Sequence, residues 1–227
     1  MTSPVFLDGF YGEGGGQIVR FALVLSLLTG RSFRIVNIRR GRRRPGLKPQ
    51  HLHILKALLK LAPGSRTEPE HLQVGLTELT FHPAEPRGGT LTVDFKTAGS
   101  IPLFLQTLLP TCVLSREGCR LRIIGGTDVP FSMTWDFWEQ VVAPYSRLLT
   151  QHLAFRVETS GYYPAGGGWV QVAVTPLEPG ASLAERLGHL RALGPLDLGP
   201  RTGSRSRPVC GSKPAVAWNP DGCVSGS

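Results

Sequence analysis

Gly9-Phe10-Tyr11-Gly12-Glu13-Gly14-Gly15-Gly16-Gln17-Ile18-Val19-Arg20 follows a short apolar strand candidate, Val5 to Leu7, and opens directly into the apolar run Ile18 to Leu28. Strand, glycine loop and helix in that order predict a helix whose start is bare, because Gly14, Gly15 and Gly16 carry no Cβ to hold a ligand off the backbone. The first amides of such a helix lack partners and carry the positive end of its dipole. That arrangement suits a phosphate, with Arg20 one turn in as a fork for a second phosphate oxygen. Glu13 repels phosphate unless a cation such as Mg2+ lies between them. The stretch is not a Walker loop, since no Gly-Lys-Ser/Thr follows. Nor is it a dinucleotide fingerprint, since Gln17 stands where the third glycine belongs. By itself it leaves open a plain glycine turn feeding a buried helix.

The next segment narrows the choice. Phe33, Ile35 and Ile38 suggest a strand over Ser32 to Ile38, followed by Arg39, Arg40, Arg42, Arg43 and Arg44 and the turn Pro45-Gly46. So many arginines around Gly41 form either a solvated basic loop or a loop that contacts phosphates. Pro49 suits the first position of a helix to about Ala62, whose apolar stripe is Leu52, Leu55, Leu58, Leu59 and Ala62. Gln50 and His51 fall in its first turn, and His51 is either structural or a ligand contact.

Leu72 to Phe81 and Thr90 to Phe95 read as strands with the turn Gly88-Gly89 between them. A helix over Ile101 to Leu114 follows, with a kink expected at Pro110. Gln106 inside that apolar helix is either a satisfied core amide or one aimed at a ligand. Cys119 to Ile124 is a strand, Trp135 to Leu149 an amphipathic helix, and Leu153 to Thr159 and Trp169 to Val174 are strands. The order β-α-β-α-β-β, loosely repeated, predicts an α+β protein with a first unit over 1–92 and a second over 93–180. From about Leu193 the apolar periodicity is lost, and 181–227 is expected to be irregular and disordered at its end.

The bulk properties agree. With 227 residues the chain suits one or two domains, and a formal charge of +9 favours a polyanionic partner. No signal peptide is read before Pro4. The most apolar run is too short to span a bilayer and contains Arg20, so no membrane association and a cytoplasmic location are expected. Cys112, Cys119, Cys210 and Cys223 lack metal-ligand spacing and are expected as reduced thiols. No Ser/His/Asp order and no His-Glu-x-x-His occurs, which removes the ordinary hydrolase and zinc readings.

Six motifs in register resemble the RNA 3'-terminal phosphate cyclases. They are Asp8-Gly9 with Gly12 to Arg20, Asn37 to Arg42, Pro45-Gly46-Leu47 with Gln50-His51, Thr97-Ala98-Gly99-Ser100 with Gln106, Gly125-Gly126-Thr127-Asp128, and Tyr162 to Gly168. The resemblance implies three repeated βαβαββ units similar to the C-terminal domain of a translation initiation factor, two of which are present here. It also implies ATP and a divalent metal, Mg2+ or Mn2+, as cofactors and RNA 3'-phosphate ends as partner. The family's reaction transfers AMP from ATP to an active-site histidine and then to an RNA 3'-phosphate. The adjacent 2'-hydroxyl attacks, forming a 2',3'-cyclic phosphate and releasing AMP. By resemblance Glu13 holds the metal, and Gly14, Gly15, Gly16, Gln17 and Gln106 line the ATP and phosphate pocket. Arg20, Arg39, Arg42, Gln50 and His51 face the RNA terminal phosphate.

The family places its nucleophilic histidine in the third unit, and neither His152 nor His189 matches that motif, so no catalytic residue is assigned in this chain. The sequence resembles the front part of a cyclase, truncated or frameshifted, expected to be inactive alone and to self-associate through the face left by the missing unit. The alternative class is a non-catalytic cyclase-like RNA-binding protein of ribosomal RNA maturation.

Overall fold

Strict alternation builds the first two strands. Val5–Asp8 (β1) turns Phe6 outward, and Phe33–Val36 (β2) buries Phe33 and Ile35 while Arg34 stays exposed. The computed structural model describes residues 3–147, 149–176 and Glu185. His189, Cys210, Cys223 and the 193–227 tail lie outside the described residues.

Between these strands runs α1, Gln17–Thr29, ended by Gly30 in the left-handed conformation. α2 (Pro49–Leu61) buries Ile54, Leu55, Ala57, Leu58 and Leu61. Two short strands close the first sheet, β3 (Arg66–Glu68) and β4 (Leu79–His82). Its order is β1-β2-β4-β3, with β1 parallel to β2 and the other pairs antiparallel.

The second sheet is made of β5 (Gly89–Asp94), β6 (Cys119–Gly125), β7 (Thr150–Thr159) and β8 (Gly168–Pro176). Its order is β5-β6-β8-β7, again with one parallel pair, β5 with β6, followed by two antiparallel pairs. Within it α3 (Ile101–Val113) connects β5 to β6, capped by the Ser100 hydroxyl, which accepts the Leu103 N–H. α1, α2 and α3 pack on one another, and a single apolar core runs from Leu23 and Phe81 through Phe104 to Val172. The protein is α+β with two four-stranded sheets.

Several elements differ from the sequence reading. Leu72 to Phe81 is not one strand: only Leu79–His82 pairs, because Gly75 turns the preceding segment at φ 89°. β3 has no apolar alternation to reveal it; Arg-Thr-Glu offers the core only Thr67. The helix expected over Trp135 to Leu149 is three pieces: α4 (Trp135–Phe137), a π-helical turn (Trp138–Val142) and α5 (Ala143–Arg147). In the π-turn the Ala143 N–H reaches the Trp138 carbonyl, one residue further back than in an α-helix, immediately before Pro144. A proline there has no N–H and crowds the preceding turn, so widening the turn accommodates it. α3 continues through Pro110 to Val113. Cys112 and Cys119 are free and buried.

Candidate functional site

The glycine loop is tied down at both ends. Asp8 Oδ1 accepts the Phe10 N–H at 3.0 Å and the Asn37 amide at 3.2 Å, joining the end of β1 to the end of β2. Gly14 lies at φ 56°, a left-handed value that a side chain resists. Gly16 caps α1 without any side-chain partner, and the first turn carries no acid. The positive end of α1 is therefore uncompensated by the protein.

The arginine loop is folded around one of its own members. Arg39, at φ 54°, is buried, and its Nη1 donates to the carbonyls of Arg44 at 2.7 Å and Gly46 at 3.1 Å. Burial, and secondarily Arg42, lower its pKa. Arg39 lines the cleft and also braces its own loop. One end of its guanidinium holds the loop in shape, because two inward-turned carbonyls need a donor. Arg42 is exposed and pairs with Glu13, Nη2 to Oε2 at 3.2 Å.

These two loops and the start of α2 enclose a cleft of about 670 Å³. Gly15, Gly16 and Gln17 form one wall; Arg39, Arg42, Arg43 and Arg44 form another, with Lys48, Gln50, His51 and Phe131 completing it. No carboxylate is in this lining; Glu13 stands beside it, paired with Arg42. Charge and shape suit an anion.

His51 gives the cleft its most specific feature. Its Nδ1 accepts the Lys48 N–H at 3.0 Å, fixing the neutral ring with the proton on Nε2. Nε2 is buried and has no hydrogen-bond partner among the described residues, and it points at Gly16, where a Cβ would overlap it. Burial, then Arg39, Arg20 and Lys48, lower the His51 pKa to about 4. A buried N–H without an acceptor is costly, so an anion oxygen at this position would satisfy it. Arg20 is similar: its Nη1 is buried without a partner and burial lowers its pKa. It lies beneath the cleft beside Gln50 and Ser100 rather than in the lining.

A second cavity of about 580 Å³ shares Lys48, Gln50 and Phe131 with the first and continues over Ala98 to Ser100, Val129 to Ser132 and Tyr163. Close backbone packing makes its wall. The Gly161 N–H donates to the Thr127 hydroxyl oxygen at 3.0 Å, and that hydroxyl lies 2.7 Å from its shorter acceptor, Asp128 Oδ2. The Ser100 and Ser132 hydroxyls bond each other at the rim.

Of the residues singled out in the sequence, Gly15, Gly16, Gln17, Arg39, Arg42, Gln50 and His51 come together in one cleft, with Glu13 at its edge. Gln106 does not join them. It is exposed and lines a separate apolar groove of about 290 Å³ with Leu109, Pro110 and Val113. The expectation of a buried amide fails because α3 turns residue 106 away from the core that holds Leu105 and Leu108. Lys48 and Phe131 went unread. Lys48 was legible as a cation beside the helix start, whereas a loop aromatic such as Phe131 gives no periodic signal.

A single carboxylate at the mouth, Glu13, suits a cation carried in on phosphate oxygens rather than a preformed protein cage, and no cluster of three acidic, His or Cys groups occurs among the described residues. Among the described residues no helix is long and apolar enough to cross a membrane.

The α+β scaffold brings a bare helix start, an arginine loop and a buried imidazole N–H to one cleft, whose charge suits an anion. The family model of the RNA 3'-terminal phosphate cyclases matches residues 11–224, and the chain belongs to that family. The RNA 3'-terminal phosphate cyclase of Pyrococcus furiosus is 44% identical over 172 residues, covering 76% of this chain and 49% of that protein. That of Archaeoglobus fulgidus is 40% identical over 184 residues, 81% of this chain and 55% of the relative. The chain thus spans about half the length of the curated relatives it matches.

Proposed function

We propose that this chain supplies the substrate-phosphate cleft of an ATP-dependent RNA 3'-terminal phosphate cyclase. The observation that carries the reading is the buried, unpartnered His51 Nε2–H facing Gly16 at the bare start of α1, opposite Arg42 and Arg43. In this reading the Gly15–Gly16 backbone and Gln17 hold phosphate oxygens of ATP, while Arg42, Gln50, His51 and the free end of Arg39 hold the RNA 3'-phosphate. Arg20 supports Gln50 from below. Glu13, which pairs with Arg42 here, would hold a Mg2+ or Mn2+ ion, and that ion would supply charge neutralisation between phosphates. Gln106 stands outside this set.

The chemistry needs charge neutralisation and alignment more than a strong base. AMP passes from ATP to a histidine with release of pyrophosphate, and from the histidine to the 3'-phosphate. The neighbouring 2'-hydroxyl then attacks the activated phosphorus, giving up its proton to solvent and displacing AMP as the 2',3'-cyclic phosphate closes. The cleft's own histidine is a poor nucleophile: Nε2 carries its proton and Nδ1 is engaged by Lys48. We place the nucleophile in the half of the relatives that this chain does not match.

The two sheets share strand order and pairing, which supports two copies of one βαβαββ unit, divided between His82 and Gly89 rather than inside β5. The apolar groove around Leu109 and Pro110, flanked by exposed Phe21 and Leu25 of α1, is the face proposed for self-association; a monomer by light scattering would remove that part.

Labelled ATP tests the activity. The chain alone is expected to give no acid-labile AMP adduct, and adding the C-terminal half of a relative is expected to restore one. No adduct under either condition would favour RNA binding without catalysis.

A further inference from the structure

The outer faces of the two sheets differ in charge and in aromatic content. On the first, Arg34 is matched by Glu78 at 3.1 Å and His82 by Glu68 at 3.1 Å. On the second, the cross-strand register places Thr92, Arg122, Gln171 and Arg156 in one row across all four strands. Arg156 is paired with Glu158 at 3.0 Å, but the exposed Arg122 side chain has no ion pair or hydrogen bond among the described residues. Gln171 is 5% exposed; its amide donates to Glu158, and its Oε1 has no donor.

The next row toward the loops is Asp94, Ile124, Trp169 and Thr159, with Trp169 partly exposed on this face. Diagonal neighbours on a sheet lie about 7–8 Å apart, within reach of long and aromatic side chains, which places Trp169 and Arg122 near enough to share one ligand. Trp169 directly follows the loop that presents the exposed Tyr162 and Tyr163, and Tyr163 lines the second cavity. An aromatic and cationic path therefore leads from the cleft over Tyr163 and Trp169 to Arg122.

We propose that this path is the track for the body of a single-stranded RNA whose 3' end occupies the cleft, with bases stacking on Trp169 and phosphates meeting Arg122. The proposal rests on the cyclase reading of the cleft. Stacking surfaces with interleaved cations take single strands in a sequence-tolerant way. Gln171 Oε1 supplies an acceptor for a 2'-hydroxyl.

Fluorescence anisotropy with the full chain tests it, using a 3'-phosphorylated trinucleotide and a dodecanucleotide. The longer RNA is expected to bind about tenfold or more tightly, and Trp169→Leu is expected to remove about fivefold to a hundredfold of that advantage. Arg122→Ala is expected to lower the salt slope by about 0.7. Thr92→Glu, an exposed charge placed in the same row, keeps the test valid if the tryptophan variant fails to fold. Its expected effect is loss of the length advantage with the preference for a 3'-phosphate retained.

Equal binding of both lengths, or an advantage indifferent to Thr92→Glu and Arg122→Ala, would overturn the track. So would equal binding of a duplex of the same length. Loss of the 3'-phosphate preference in the unaltered chain, with the length advantage and its Thr92→Glu sensitivity intact, would instead sink the cleft reading and support the track.

Discussion

Replacing Gly16 by alanine perturbs the cleft at its tightest point. The new Cβ would stand 2.8 Å from His51 Cε1 and closer still to Nε2. His51 cannot withdraw freely, because it is buried and holds the Lys48 N–H at 3.0 Å. Overpacking of this kind costs about 1–3 kcal/mol. If the ring moves away, the hydrogen bond to Lys48 adds about 1 kcal/mol to the loss. The backbone of Gly16, at φ −67° and ψ −13°, suits alanine and adds no strain. For a chain of this size each kcal/mol shifts Tm by about 2–4 °C, so a fall of about 5–10 °C is expected. Gly15→Ala is the control, since its Cβ meets only the tip of the exposed Gln17 side chain, Oε1 at 2.6 Å, which can swing aside. Thermal melts followed by circular dichroism compare the two. A Gly16→Ala chain melting with the parent, or a Gly15→Ala chain losing as much, would refute the packing of His51 beneath the glycine loop.

His51 also makes stability depend on pH. Its folded pKa of about 4 lies below the ordinary 6.5, so between these values the unfolded chain binds the proton first. Stability should therefore fall as pH drops from about 6.5 to about 4, by up to about 3 kcal/mol, and His51→Gln should remove this part of the slope in urea titrations. Glu13→Gln should abolish Mg2+-dependent ATP binding in calorimetry while Tm stays nearly constant, because the exposed pair with Arg42 contributes under about 1 kcal/mol. Metal dependence retained with a large loss of stability would make Glu13 structural. Arg42→Ala should weaken binding of short RNA ending in a 3'-phosphate more than of RNA ending in a 3'-hydroxyl, with the salt slope reduced by about 0.7. Equal losses would reduce the loop to a general electrostatic patch.

The legible parts of the fold were those with strong periodicity. α1 announced itself as an apolar run ended by Gly30, α2 through its apolar stripe, and β6 through Leu121 and Ile123 alternating with Arg120 and Arg122. β3 was hidden because its pairing is carried by backbone alone, with a single inward side chain. The break at Trp138–Val142 was hidden because helical spacing persists through a π-turn, although Pro144 marked the place. In the cleft, the glycines at a helix start and the loop of five arginines were readable as segments that bring positive charge together, and the structure places them in one lining. The bracing role of Arg39 was not legible, because sequence gives a charge but not whether the loop uses it, and its Nη1 donates to the carbonyls of Arg44 and Gly46. That Gln106 is exposed and lies apart from the arginine cleft was not legible, because an apolar helix with few polar residues does not reveal which face its neighbours cover.

The central claim is that the glycine start of α1, the arginine loop and His51 form a site for an RNA terminal phosphate. Its most direct measurement is a pair of calorimetric titrations of the chain at one salt concentration and neutral pH. The two ligands are an RNA tetranucleotide ending in a 3'-phosphate and the same tetranucleotide ending in a 3'-hydroxyl. A preference for the phosphate end of about tenfold or more is expected, the order given by one or two charge-assisted hydrogen bonds. Equal affinity for the two ends would contradict it.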